Sequence, residues 1–387
     1  MKEIIEDEYI GINIVGDFFV PNLQNHKFGQ QISAQLAKAD INVINLEGPL
    51  RTTGTFPAHK SGPHLCQDPN IPSFLESNHF NVISISNNHI MDYGERALQY
   101  TKDSFVVKMI GAGVFDEVYS IKIVSKKGVI IGFLPISQYE FGVLTEKTQT
   151  NTKGTAWMCH PLIDELIASA HSICDILIVL PHAGCEMFDL PLPEIKELYR
   201  HFIRMGADAV IGAHPHVPQC WEVYKEKPIA YSLGNFCFDF EDEKSIYWNI
   251  GLLAHLKIKE KNIQMTIDPI SYNKSTKVVD FVNDFIINKH LNDLNLKLDN
   301  ENEYISQVND MCLKKELEFL DLFELSGFVR PNIKKSAKII LSHLKRSYIT
   351  HKPFIYDDSH FINNIRCEAH RWMLSRIYEL KNSTKNK

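Results

Sequence analysis

Four stretches of the chain share one design: a polar residue leads into a short run of apolar, mostly β-branched residues, and polar side chains with a nearby glycine close it. They are DINVINLEG (40–48), NVISISNNH (81–89), DILIVLPHAG (175–184) and DAVIGAHPH (208–216), and INIVGDF (12–18) is a fifth that lacks only the polar opening. A short apolar run bounded by turn residues reads as a buried strand, so each predicts a core strand with chemistry at its C-terminal end. Between them, apolar residues fall at helical spacing, as in Ile32, Leu36 and Ala39, or Ile195, Leu198, Tyr199 and Phe202. Strand alternating with helix requires crossovers and mainly parallel pairing, hence a layered α/β fold. Ligands in such sheets bind beyond the carboxyl ends of the strands. Asp17, Glu47, Asn87, Asn88, His89, His182, His214 and His216 all fall there.

Two later segments, KPIAYSLGNFCF (227–238) and IYWNIGLLAHLKI (246–258), alternate more regularly and predict antiparallel pairing at the far side of the core. Past about residue 276 the texture changes. DNENEY (299–304) reads as a polar linker or loop, and Ile333, Ala337, Ile340, Leu341, Leu344 and Tyr348 form a helical stripe beyond it. Lys334, Lys335, Lys338, Lys345 and Arg346 around that stripe read as the solvated face of a packed helix before they read as a membrane or partner surface. The expected division is therefore a main domain over residues 1–275 and a mostly helical accessory region over 276–387.

A net charge of −6, with 23% charged and 44% apolar residues, is that of an ordinary globular protein and gives no reason to expect nucleic acid. The start, MKEIIEDEYI, is acidic where a secretory signal is basic and then apolar, and apolar stretches such as GVIIGFLPI (128–136) fall short of the roughly 18 residues a spanning helix needs. A cytoplasmic, non-integral protein is expected. Cysteines 66, 159, 174, 185, 220, 237, 312 and 367 form no C-x-x-C pair, which argues against a zinc knuckle or a disulfide framework.

Two imidazoles two residues apart on an extended strand point to opposite faces, so His214 and His216 meet one ion only where the backbone turns. Pro215, with φ fixed near about −65°, stiffens that turn. SNNHIMDYG (86–94) gathers Asn87, Asn88, His89 and Asp92. Capping of a helix from Ile90 accounts for one of its amides, not for both and His89. GDFF and NLEGP contribute Asp17 and Glu47, while PHAGCE adds His182 and Glu186, the latter read equally as a helical residue. Two carboxylates, an amide oxygen and three imidazoles suit manganese, iron, zinc or magnesium, and no thiolate is required. Two such ions about 3.5–4 Å apart share a bridging carboxylate, activate a water and neutralise charge on a phosphoryl or acyl oxygen.

The ordered series GDFF, NLEGPL, NNHIMDYG, GAG (111–113), HAGCE, GAHPHVPQ and YSLGNFCFDF resembles the CapA family, the capsule-synthesis proteins linked to poly-γ-glutamate, within the calcineurin-like metallophosphatase superfamily. The resemblance spans roughly residues 10–255. It implies a four-layer α/β/β/α sandwich with a C-terminal helical extension. It also implies Asp17 as the first-motif ligand, Glu47 as the bridging carboxylate, and Asn88 as an amide ligand beside His89, the acid or phosphate-contacting imidazole. His182, His214 and His216 complete the implied metal sites, with Asn87, Asp92, Glu186, Gln219 and Asn235 supporting ligands or substrate. The superfamily's Asp-x-His is broken here by Phe19, which leaves one site short of a ligand and one or two divalent ions as the expected cofactor. The implied function is a metal-dependent hydrolase of a phosphate ester or γ-glutamyl-type amide in capsule, poly-γ-glutamate or surface-polymer metabolism, with polymer-synthesis proteins as partners. The alternative is a non-catalytic assembly or binding subunit retaining a partial metal site. Dinucleotide binding needs G-x-G-x-x-G after a strand, and GAGVFD stops after two glycines.

Overall fold

All five predicted strands form, and they divide between two sheets. The computed structural model describes residues 9–147, 152–240, 245–325, 363 and 365–383. Ile10–Phe19 is central to the first sheet: it pairs in parallel with Ile41–Leu46, which continues through Val82–Ser84 to Lys108–Ile110, all parallel. On its other side it pairs antiparallel with Ile250–Lys259, and the sheet runs on through Asn262–Asn273 and Val278–Phe281 to Lys27–Phe28. The second sheet has a parallel centre, Val129–Ser137, Ile176–His182, Ala209–Ile211 and Lys227–Ala230, with antiparallel edges Lys122–Lys126 and Trp221–Tyr224.

Strand periodicity explains the layers. Ile10, Ile12 and Ile14 share one face of their strand and pack against Phe133, Ile176 and Ile178 of the other sheet, so the sheets meet face to face. Ile44 and Ile83 look outward to Ile32, Leu36, Leu75 and Leu98 of the helices Gln30–Lys38, Ile71–Ser77 and Gly94–Ser104. Each such aliphatic side chain contributes roughly 1.5–3 kcal/mol by leaving water. Helix Pro193–Met205 packs against Ala209–Ile211 and Lys227–Ala230 on the second sheet, burying Ile195, Tyr199, Phe202 and Ile203. Proline opens that helix, and Gly206 at φ 126° closes it by donating its N–H to the Ile203 and Phe202 carbonyls. The result is an α/β/β/α sandwich. Its parallel strands end on one edge, where the polar residues of the five sequence stretches lie.

The chain divides into two compact units, Met1–Ala58 with His64–Tyr304, and His59–Pro63 with Ile305–Lys387. The first unit runs past residue 275, because Val278–Phe281 extends the large sheet and helix Phe285–Asp299 follows it. In the second unit, Arg376 Nη1 donates to Asn309 Oδ1 at 2.9 Å, and Val308, Cys312, Met373 and Ile377 are buried.

Two local readings are corrected. KPIAYSLGNFCF is not one antiparallel strand: Lys227–Ala230 belongs to the second sheet, Asn235–Phe238 joins the first in parallel with Ile10–Phe19, and Gly234 at φ 63° makes the break. DNENEY is not a linker, since helix Glu301–Leu325 starts within it and Tyr304 is buried, its Oη donating to the Pro191 carbonyl at 2.8 Å. The stripe from Ile333 to Tyr348 lies outside the described residues. Among the described residues, no helix is long and apolar enough to cross a membrane.

Candidate metal centre

Backbone geometry brings the donors together. A Cβ on Gly16 would lie 1.9 Å from the Gly234 carbonyl oxygen, so glycine is what lets the two segments meet, and that carbonyl accepts the Asp17 N–H at 3.0 Å. Asn45 Nδ2 donates to Asp17 Oδ1 at 2.7 Å, and the His214 N–H donates to Oδ2 at 3.1 Å. Glu47 follows the strand Ile41–Leu46, and Gln67 Nε2 anchors the turn by donating to the Phe18 and Glu47 carbonyls at 2.8 Å each. His182 ends its strand.

The turn demanded of His214 and His216 is present, with φ of 103° and 60°. Such conformations cost of order 1–3 kcal/mol each in side-chain-bearing residues and persist only where the surroundings hold them. The Pro215 carbonyl between them accepts the Met187 N–H at 2.9 Å. As a result the His216 ring faces Asp17 and Glu47, and the His214 ring faces His182. His214 Nδ1 lies 3.1 Å from His182 Nε2, while His216 Nδ1 lies 3.4 Å from Asp17 Oδ2 and its Nε2 3.6 Å from Glu47 Oε1.

Ligand atoms of Asp17, Glu47 and His182 lie within 4.8 Å of one another. Asn88 Oδ1 is 3.1 Å from His182 Nε2. The decisive feature is Glu47, which is fully buried with neither carboxylate oxygen hydrogen-bonded. Buried polar groups are almost always paired, and an ionised carboxylate without a partner carries a large desolvation penalty. Burial, followed by the charges of Asp17, Glu186, Asp92 and Glu140, pushes the Glu47 carboxyl well above its ordinary range. Burial likewise pushes Asp17 up to about 6, although Asn45 and His214 oppose it. Burial and the neighbouring imidazoles hold His182 well below the ordinary imidazole value. A divalent cation reverses each of these penalties, and the oxygen and nitrogen donors suit one.

His89 stands beside the cluster, its Nε2 3.8 Å from Glu47 Oε1 and its Nδ1 2.7 Å from Asp92 Oδ2. Asp92 Oδ2 also accepts the Leu65 N–H at 2.7 Å, so the carboxylate that orients the ring is itself held. Asn87 is a clip between loops: its Nδ2 donates to Asn45 Oδ1 at 3.1 Å and to the Leu46 carbonyl at 2.9 Å, and its Oδ1 accepts the His89 N–H at 3.2 Å. No helix starts at Ile90; the helix begins at Gly94. Glu186 lies in a turn, not a helix, and its charge reaches Glu47. Asn235 Oδ1 is 3.0 Å from His216 Nδ1, and Gln219 Nε2 donates to the Phe188 carbonyl at 2.7 Å. Phe19 is buried against Phe238, ring centroids 5.2 Å apart.

Three polar neighbours escape the sequence reading: Asn45, Gln138 and Glu140. Gln138 Nε2 lies 3.0 Å from His214 Nε2 and donates to Glu140 Oε1 at 2.6 Å, and Glu140 Oε1 is 3.7 Å from His214 Nε2. The signal was available, because Gln138 and Glu140 directly follow a buried strand, as the recognised donors do.

The chain belongs to the bacterial capsule synthesis protein PGA_cap family, whose model matches residues 14–240. The PGA biosynthesis protein CapA of Bacillus subtilis (strain 168) is 29% identical over 254 residues, 60% of this chain and 64% of that protein. The capsule biosynthesis protein CapA of Bacillus anthracis is 28% identical over 254 residues, 60% of this chain and 61% of that protein. The match thus covers less than two thirds of either relative's length. Among solved structures, a hypothetical protein from Thermus thermophilus is similar at a TM-score of 0.45 and 14% identity, over 71% of this chain and 100% of that one.

Proposed function

We propose that the chain is a metal-dependent hydrolase acting on a phosphate ester or a γ-glutamyl-type amide in the metabolism of capsule, poly-γ-glutamate or a related surface polymer. The observation that carries this reading is the buried Glu47 carboxylate, with no hydrogen bond to either oxygen, among Asp17, His89, His182 and His216. Asp17, Glu47, Asn88, His182, His214 and His216 would hold the cation. A divalent ion bound there supplies positive charge that lowers the pKa of a water and neutralises a phosphoryl or acyl oxygen.

The protein's own groups supply the rest. His89 holds a proton at Nε2 for the leaving group, and Asp92, bonded to Nδ1, fixes the ring and its tautomer. Asn45 and the His214 N–H orient the Asp17 carboxylate. Polymer-synthesis proteins are the proposed partners, in keeping with the names of the relatives. A cytoplasmic location belongs to the same proposal.

Metal analysis of the purified chain, paired with a panel of phosphomonoesters, phosphodiesters and γ-glutamyl amides, tests the reading. Turnover that a chelator abolishes and added metal restores is expected. Stoichiometric metal without turnover on any member of the panel favours the second reading, a non-catalytic assembly subunit. The specific observation on that side is Phe19, an apolar side chain two residues after Asp17 where the superfamily has a ligand.

A further inference from the structure

We propose that Glu140 is the outer partner of His214: it accepts the His214 Nε2–H when the other ring nitrogen is given to a cation, and Gln138 holds it in place to do so. The proposal rests on the metal-binding reading above and adds two positioning residues to it.

The His214 ring has two unlike sides. Its Nδ1 lies 3.1 Å from His182 Nε2, which is itself 3.1 Å from Asn88 Oδ1, so this nitrogen looks into the donor cluster. Its Nε2 looks away, 3.0 Å from Gln138 Nε2 and 3.7 Å from Glu140 Oε1. A neutral imidazole that gives one nitrogen to a metal keeps its proton on the other, and that N–H needs an acceptor. His214, Gln138 and Glu140 are all buried, and buried donors are almost always paired.

Gln138 cannot be that acceptor. Its Oε1 accepts the Gly184 N–H at 2.9 Å, and its Nε2 donates to the Gly184 carbonyl at 3.2 Å. Turning the amide over would set carbonyl against carbonyl and N–H against N–H, so its nitrogen stays toward His214. The Gln138 backbone N–H also donates to the His182 carbonyl at 3.1 Å, which ties the residue to the strand Ile176–His182. Gly184 lies against the GAHPH turn, since a Cβ there would stand 3.0 Å from Pro215 Cγ.

Glu140 is the acceptor within reach. Gln138 Nε2 donates to its Oε1 at 2.6 Å, and a carboxylate oxygen has two lone pairs, so room remains for a bond from His214. As the ring stands, Nε2 accepts from the Gln138 amide. With the proton on Nε2, ring and amide are both donors, and Glu140 Oε1 is the acceptor they share. A small turn of either side chain closes the 3.7 Å gap, which orients the ring with Nδ1 toward the donors.

Glu140 also adds negative charge to the centre, one of the charges that push the Glu47 carboxyl up. That attraction for a cation would persist without His214, so a double-mutant cycle separates it from the role proposed. Zn(II) is titrated calorimetrically into the chelator-stripped full chain, as wild type, Glu140→Ala, His214→Ala and the double variant, with thermal melting to verify folding. Glu140→Ala is expected to weaken Zn(II) binding by about 10–100-fold, the usual cost of losing such an outer partner, and the double variant to bind no more weakly than His214→Ala. Should Glu140→Ala not fold, Glu140→Gln, which keeps the shape and gives up the charge, takes its place with an expected loss of about 3–10-fold. Spectra of the Zn(II)-loaded chain with isotope-labelled histidine rings give a second readout, in which His214 is expected to carry its proton on Nε2. Unchanged affinity in the folded Glu140 variant, additive losses in the double variant, or a proton on Nδ1 of His214 overturns this inference and leaves the metal-dependent reading standing. No Zn(II) binding in the wild type overturns both.

Discussion

Glu47 is the residue at which folding and function oppose each other, since its carboxylate is buried with no hydrogen bond to either oxygen. Its folded pKa lies above the unfolded one, so the metal-free protein holds an extra proton and loses stability as pH rises between the two values. Replacing it with an apolar side chain of similar length, Glu47→Met, is expected to stabilise the chelator-treated protein by about 1–3 kcal/mol, the penalty of an unsatisfied buried group. The gain should be larger at pH 8 than at pH 5; melting curves of both proteins in chelator measure it, and an equal or lower stability contradicts the assignment. His89→Ala has the opposite signature, with metal retained and turnover reduced by about 10²–10⁴-fold, the usual loss of an acid–base group, read from metal content and initial rates. At this scale the sequence was informative where a polar residue ends an apolar run, as for Asp17, Glu47, His182 and His214. Asn45 stayed hidden inside such a run, because an amide in a strand says nothing of the carboxylate it meets on the neighbouring strand. Gln138 and Glu140 were passed over because their strand drew notice only as an apolar stretch.

The GAHPH turn is the element on which the centre depends, since it holds both histidines at positive φ. Pro215→Gly frees that turn in the unbound state without removing a donor atom, and calorimetry is expected to show metal affinity lowered by about two- to five-fold, the entropic scale of such a change. A second element-level tie lies at the sheet edge. Asp239, just past Asn235–Phe238, accepts from Lys277 Nζ at 2.8 and 2.7 Å and lies 3.4 Å from His26 Nε2. Burial raises its pKa, but the bonds from His26 and Lys277 and the charge of Lys277 outweigh that and hold it far below the carboxylate range. Its contribution is therefore present above the unfolded value, near about 3.9, and is lost as pH falls towards the folded one. Asp239→Asn should cost about 1 kcal/mol at pH 7, after allowance for solvent screening, and less at pH 3. Denaturation at the two pH values checks this, and a cost that does not shrink at pH 3 contradicts it. The five core strands and the helices at 3.6-residue spacing were legible because burial writes periodicity into sequence. The split of residues 227–238 was not, because Lys227–Ala230 and Asn235–Phe238 are both apolar and only the backbone at Gly234 sends them to different sheets.

Across the whole molecule, every donor proposed for the centre precedes residue 217, and the unit that contains them runs to Tyr304. A chain ending at residue 304 is expected to fold and bind metal as the full chain does, because it keeps the sheet edge Val278–Phe281 and the bond from Tyr304 to Pro191. Ending at residue 275 instead removes Val278–Phe281, one of the two strands paired with Asn262–Asn273, and should give an insoluble or markedly less stable product. Soluble yield and thermal melting distinguish the two. The change of texture near residue 276 marked the loss of strand–helix alternation, yet one more short strand and the helix Phe285–Asp299 still belong to the first unit. The measurement that bears most directly on the metal centre is calorimetric titration of Zn(II) into the chelator-stripped full chain, wild type beside Glu47→Met. Saturable binding in the wild type, weakened at least about tenfold in a folded Glu47→Met, is the predicted result. Equal affinity in both proteins, or no binding in the wild type, would contradict a cation centre built on Asp17, Glu47 and His182.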